Sequence, residues 1–152
     1  MNGRRAWALG IVATLLVAAG CGGGGGDRLS EAELREQGNA ICAKYQEQID
    51  ALETPSAVED IPGYVEEAAP IVEREIDELK ELDPPEDVQE TFDEMIAEAE
   101  KTVQAGRDLG EAAEANDAAA IEQTLDEGNA ASARADEHAT ELGLTNCVDQ
   151  EQ

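Results

Sequence analysis

Large aromatic rings and basic charge are both scarce in this chain. Its 152 residues hold one Trp, two Tyr and one Phe, and 10 Lys and Arg stand against 36 Asp and Glu. Trp7 lies in the N-terminal segment, so the rest of the chain keeps only Tyr45, Tyr64 and Phe92. A core must then be built from Leu, Ile, Val and many Ala. Alanine buries little area, and apolar burial stabilises by roughly 25 cal/mol per Å², so such a core needs support from elsewhere. The shortage of Lys and Arg excludes nucleic acid or an anionic lipid surface as the working face, because phosphate binding needs clustered basic side chains. A net charge of −26 leaves a cation, a basic partner or plain solubility open.

Long apolar runs are missing as well. The longest, Ala6–Ala19, has 14 residues, where a membrane-spanning helix needs about 20. Arg4 and Arg5 precede it and small residues end it, which is the layout of an export signal, residues 1–20, rather than a stop-transfer anchor. The segment Val17-Ala18-Ala19-Gly20-Cys21 resembles a lipobox, with Ala18 standing where Leu is preferred. That resemblance implies a diacylglyceryl thioether on Cys21, cleavage before it, and acylation of the new amino terminus. Loss of residues 1–20 removes two arginines and no acid, shifting the net charge from −26 to −28. Gly22–Gly26 read as a flexible tether; over residues 21–29 the chain would span roughly 16 Å, from about 5–6 Å × √n. Gly22 rather than Asp follows the cysteine, so the familiar inner-membrane retention residue of two-membrane bacteria is absent.

Residues 30–152 carry helical periodicity and no period-two alternation. Ser30-Glu31-Ala32-Glu33 is a capping box, followed by Leu34, Gly38, Ile41, Tyr45, Ile49 and Leu52 on one face. This helix is expected to run to about Glu53, before Thr54-Pro55. A second helix carries Val58, Ile61, Val65, Ala68, Val72, Ile76 and Leu79 and ends near Leu82. Pro62 fits its first turn, whereas Pro70 should kink or split it. A third is expected from Pro85 or Glu86, with Val88, Phe92, Met95, Ala99, Val103, Gly106, Leu109 and Ala113 on its face. Asn116-Asp117 breaks it, and Asp117 caps a fourth that shows Ile121, Leu125, Gly128, Ser132, Ala135, Ala139 and Leu142. Gly143 then matches a left-handed C-cap, with Leu144 as its apolar contact. Four amphipathic helices joined by short turns imply an all-α, up-down-up-down four-helix bundle. A coiled-coil dimer is the alternative; the prolines and short turns favour packing within one chain, hence a monomer.

With Cys21 committed to lipid, Cys42 and Cys147 remain, and an exported even pair usually joins. Up-down-up-down order would bring the tail after Leu144 to the first helix. A Cys42–Cys147 bridge would close 105 residues, for which the chain-entropy model assigns about 4.7 kcal/mol. Two free thiols or an intermolecular bridge are the alternatives, and metal binding by the pair is weaker still. Asn39-Ala40-Ile41-Cys42-Ala43-Lys44, the Pro84-Pro85 turn and Leu142-Gly143-Leu144 with Cys147 are similar to small lipoproteins of high-GC Gram-positive bacteria. That group carries one cysteine in helix one and another near the C-terminus, and the resemblance implies no activity and no functional residues.

Chemistry finds little support. His138 stands four residues after Arg134 and three before Glu141, as a surface histidine in a salt-linked helix would, and Ser132 lies on the opposite side of that helix. No Gly-x-Ser-x-Gly, His-Glu-x-x-His or phosphate-cradling glycine loop occurs. The carboxylates of Glu73–Glu81, and Asp93, Glu94, Glu98 and Glu100, would suit Ca²⁺ or Mg²⁺ as ligand types. Their helical spacing reads more simply as solvated acidic faces, and the Glu-x-x-His of di-iron bundles is missing. No catalytic, cofactor-binding or metal-ligating residue is therefore assigned, and no enzyme is expected. The expected role is a lipid-anchored interaction or envelope module on the extracytoplasmic face of the cell membrane, with an unidentified protein or cation as its partner. The alternative is a binding protein for a cation or a small apolar ligand.

Overall fold

A computed structural model of the chain describes residues 28–148. The expected export signal, residues 1–20, the expected lipidation site Cys21 and the expected glycine tether lie outside the described residues. The helices are α1 (Glu31–Asp50), α2 (Ile61–Lys80), α3 (Gln89–Glu114) and α4 (Ala118–Leu142), with a single 3₁₀ turn, Val58–Asp60, leading into α2. Each packs on its neighbour in sequence, α2 on α1, α3 on α2 and α4 on α3, giving the expected four-helix bundle. At one end the chain ahead of α1 meets the α2–α3 turn, since Leu29 N–H donates to the Asp83 carbonyl at 2.8 Å and Arg28 Nη1 to the Pro84 carbonyl at 2.9 Å. The C-terminal end of α4 lies there too, its Leu142 carbonyl accepting from Arg35 Nε at 3.2 Å. The helices thus alternate in direction.

The termini of the helices show which local signals carried. Ser30 and Glu33 form the full capping box, with Ser30 N–H donating to the Glu33 carboxylate at 2.9 Å and Glu33 N–H to Ser30 Oγ at 3.3 Å. Asp117 accepts from the N–H groups of Ala119 and Ala120, both at 3.1 Å. Asn116 enters the left-handed region at φ 53, so that Asp117 N–H reaches back to Ala112 and closes α3. Gly143 does the same for α4 at φ 75, and Leu144 N–H donates to the Ala139 carbonyl at 2.8 Å.

Three expectations need correction. The first helix ends at Asp50 rather than Glu53, because its last turn tightens and Leu52 N–H bonds three residues back to Ile49. The third begins at Gln89 rather than Pro85 or Glu86; a turn with Val88 N–H on the Pro85 carbonyl occupies the intervening residues. Pro70 does not split α2, which runs unbroken through it. Both Pro70 and Glu66, whose carbonyl loses its helical donor, are exposed, so that carbonyl is open to solvent and the lost bond costs little.

Core composition changes along the bundle. Leu34, Ile41, Cys42 and Tyr45 of α1 join Ile71, Ile76 and Leu79 of α2, Phe92, Met95 and Ile96 of α3, and Leu142 and Leu144. Toward the α3–α4 turn, the buried residues of α3 and α4 are small: Ala105, Gly110, Ala112, Ala113 and Ala131. Two residues assigned to apolar faces are instead exposed, Val58 at 42% and Leu125 at 44%. Leu125 sits on the first half of α4, where α3 is the packing partner and α1 offers no cover.

Candidate functional site

The cysteine pair is joined. Cys42 lies on the buried face of α1 and Cys147 beyond α4, with Cα atoms 5.1 Å apart, inside the range of roughly 4.4–6.8 Å that a disulfide needs. The bridge anchors residues 143–148 as a strap across α1. Leu144 is fully buried, and its Cδ2 lies 2.6 Å from where a Cβ on Gly38 would stand. A side chain at position 38 would force Leu144 to shift. Asn39 supplies most of the polar hold: its Nδ2 donates to the Gly143 carbonyl at 3.0 Å. Its Oδ1 accepts from Asn146 N–H at 2.8 Å, and its carbonyl accepts from Asn146 Nδ2 at 3.1 Å. Arg35 Nε on Leu142 adds a fourth bond one turn earlier.

Magnitudes show why a covalent bond sits here. Burying Leu144 is worth about 2 kcal/mol, and four hydrogen bonds about 1 kcal/mol each. Ordering six residues costs about 6–12 kcal/mol. The non-covalent contacts, to which Cys147 and Val148 add partial burial against the core, are of the same order as this cost, so the covalent tie to Cys42 holds the strap in place. The term of about 4.7 kcal/mol for a loop of this size acts against unfolding of the whole chain.

Ion pairs use up almost all the basic charge. Of the eight described Lys and Arg side chains, all but Arg74 meet a carboxylate within 4.0 Å. Six carboxylates serve those seven, since Glu98 takes both Lys101 and Arg134. The hydrogen bonds from Lys101 and then Arg134 hold Glu98 below the usual carboxylate range. Lys44 and Tyr45 do the same to Glu78, which accepts from them at 2.5 and 2.8 Å and ties α1 to α2. Glu73 on Arg107 and Lys80 on Glu100 tie α2 to α3. These exposed pairs contribute little each, about 0–1 kcal/mol. What remains is a surface of unpaired carboxylates.

Two sites depart from the sequence expectation. Glu75 belongs to the Glu73–Glu81 run read as a solvated face, yet it is half-buried between Ile71 and Leu79 on the core-facing stripe of α2. The α2–α3 ion pairs set a register that puts it level with Ala105, whose Cβ in turn meets Gly128 of α4. Desolvation pushes its carboxyl up to about 7. His138 was expected to be linked along its own helix to Arg134 and Glu141. Instead both Arg134 and His138 reach across to α3, Arg134 Nε to Glu98 at 2.9 Å and His138 Nδ1 to within 3.9 Å of Glu94. His138 Nδ1 is buried without a hydrogen-bond partner, and no hydrogen bond joins it to Ser132.

A hollow of about 580 Å³, open to solvent, is lined by Glu86 of the α2–α3 turn and by Gln89, Glu90, Asp93, Glu94 and Ala97 on the first half of α3. A smaller groove of about 270 Å³ between α2 and α3 is lined by the already paired Glu73, Lys80, Glu100 and Arg107. Among the described residues, no three His, Cys, Asp or Glu side chains converge as a metal would require. The strap was legible in outline from the cysteines and Gly143-Leu144. The Gly38 socket and the Asn39 contacts were not, because they depend on the tail folding back across α1. No protein-family model, curated protein or solved structure matches the chain.

Proposed function

We propose that this chain is a lipid-anchored lipoprotein on the extracytoplasmic face of the cell membrane, its acidic bundle serving as a non-enzymatic interaction or envelope module. The observation that carries this reading is the partition of its three cysteines. Cys42 and Cys147 are bonded to each other, which leaves Cys21, within Val17-Ala18-Ala19-Gly20-Cys21, as the one cysteine outside the bridge. A buried disulfide suits an oxidising, exported setting. The resemblance to small lipoproteins of high-GC Gram-positive bacteria belongs to the same proposal.

Geometry adds an orientation. Arg28, the first described residue, lies at the bundle end that also holds the strap. On this reading the tether leaves that end toward the lipid, and the α1–α2 and α3–α4 turns face away from the membrane. No helix among the described residues is long and apolar enough to cross a membrane, so attachment would rest on acyl chains, of which two are needed for stable anchoring. Metabolic labelling with an alkyne fatty acid tests this. The native chain should take up label and Cys21→Ser should take up none; equal labelling of both, or of neither, would contradict the anchor.

A second reading, a binding protein for a cation or a small apolar ligand, draws on the α3 hollow, where four carboxylates stand with no basic side chain among its lining residues. Calorimetry with Ca²⁺, Zn²⁺ and Fe separates the two. Saturable micromolar heat at fixed stoichiometry would favour the second.

A further inference from the structure

We propose that the strap, residues 143–148, is a redox-released latch: a dithiol that reduces Cys42–Cys147 frees it and opens the seam between α1 and α4. Four observations lead here. The helices pack in series, so the backbones of α1 and α4, first and last, approach each other little, and the disulfide, Leu144 on Gly38 and the Asn39 bonds join them through the strap. The strap's one fully buried side chain is Leu144, seated on Gly38. The hydrogen bonds that Gly143 and Asn146 make to α1 all land on Asn39. The strap is tied covalently to α1 at one point, Cys42, so the sulfur bridge sets its position.

Release would be local. α1 keeps its own ties to α2 when the strap leaves, through Lys44 and Tyr45 on Glu78, and the chain ahead of it keeps Leu29 on Asp83. The bulky core residues Ile76, Phe92, Met95 and Ile96 are carried by α2 and α3, which pack on each other without the strap. The latch would then report the thiol state of its surroundings, closed when oxidised and open when reduced.

The exchange balances without further reagents. Cys42 is 1% exposed, whereas Cys147 is only half-buried, so a thiolate of the dithiol attacks Sγ of Cys147. A mixed disulfide forms, and the Cys42 thiolate leaves and takes a proton from water. The second thiolate of the dithiol then attacks its own partner sulfur in the mixed disulfide and releases Cys147 as the second thiol. Two electrons pass from the dithiol, which ends as a disulfide, to the cysteine pair.

Hydrogen exchange on the full purified chain tests the latch independently of the membrane anchor. The N–H groups of Leu144 and Cys147, bonded to Ala139 and Leu144 carbonyls, should exchange at least tenfold faster after treatment with dithiothreitol, and also in Cys147→Ser. Amides of α3 should stay protected and exchange far more slowly than those of the strap, because only unfolding of the whole bundle exposes them. Gly38→Ala with the disulfide intact should loosen Leu144 in the same direction but less. In the reduced native chain, Cys147 should alkylate at least tenfold faster than Cys42. Unchanged strap protection, loss of protection throughout the bundle, equal alkylation rates, or a bridge that resists dithiothreitol without denaturant would each overturn the proposal.

Discussion

Glu75 shows what a single residue can conceal in a sequence this acidic. It stands among eight other residues of Glu73–Glu81 that are mostly charged, and by composition it reads as solvent-facing. Its spacing says otherwise: Ile71, Glu75 and Leu79 follow one another at intervals of four, and the two hydrophobic members are buried. The signal was present but was masked by the competing set Val72, Ile76 and Leu79. Desolvation raises the carboxyl from 4.5 to about 7, which fixes the sign of its effect. An unfolded chain gives up this proton at lower pH than the folded one, so the group costs nothing below pH 4.5 and its penalty grows until about pH 7. Glu75→Gln, which imitates the protonated acid, should therefore match the native chain near pH 4.5 and exceed its stability by on the order of 3 kcal/mol at pH 8. Urea unfolding at the two pH values measures this. An equal difference at both would show that the carboxylate is not desolvated.

At the scale of elements, caps were legible and interiors less so. Ser30, Asp117 and Gly143 each carry a local mechanism that needs no tertiary partner, and each acts as its type implies. Pro70 carries an equally local penalty, yet α2 continues because the lost bond faces water. The start of α3 slipped because a turn after the buried Pro84 takes up the residues before Gln89. Gly106 was expected on the packed face, but it is Gly110 that lies against Val65, with Val65 Cβ 3.5 Å from the position a Cβ would take. The strap was half-legible: the cysteines gave the pairing, and geometry across the bundle gave the seat. Cys147→Ser should lower the melting temperature under oxidising conditions, with a stability loss of up to about 4.7 kcal/mol from the 105-residue loop. Under reducing conditions the two proteins should melt together. Equal melting of the oxidised forms would show that the bridge adds no stability.

For the whole molecule, charge was the feature composition described best. Thirty-six acids face ten basic residues, and the structure shows nearly all described basic side chains already paired, so the excess carboxylates repel one another. Raising NaCl from 0.02 to about 0.3 M, which shortens the screening length to well under about 20 Å, should raise the melting temperature. A flat response would mean that the acids are already spaced beyond mutual influence. Function was less legible than fold, since a bundle is specified by periodicity whereas a role needs convergent side chains, and here the carboxylates diverge over helix faces.

The account rests on Cys21, and the intact mass of the protein extracted from native membranes tests it most directly. The account predicts a chain that begins at Cys21, lacks residues 1–20 and carries the added mass of acyl groups on that residue. An unmodified chain that still begins at Met1 would contradict it.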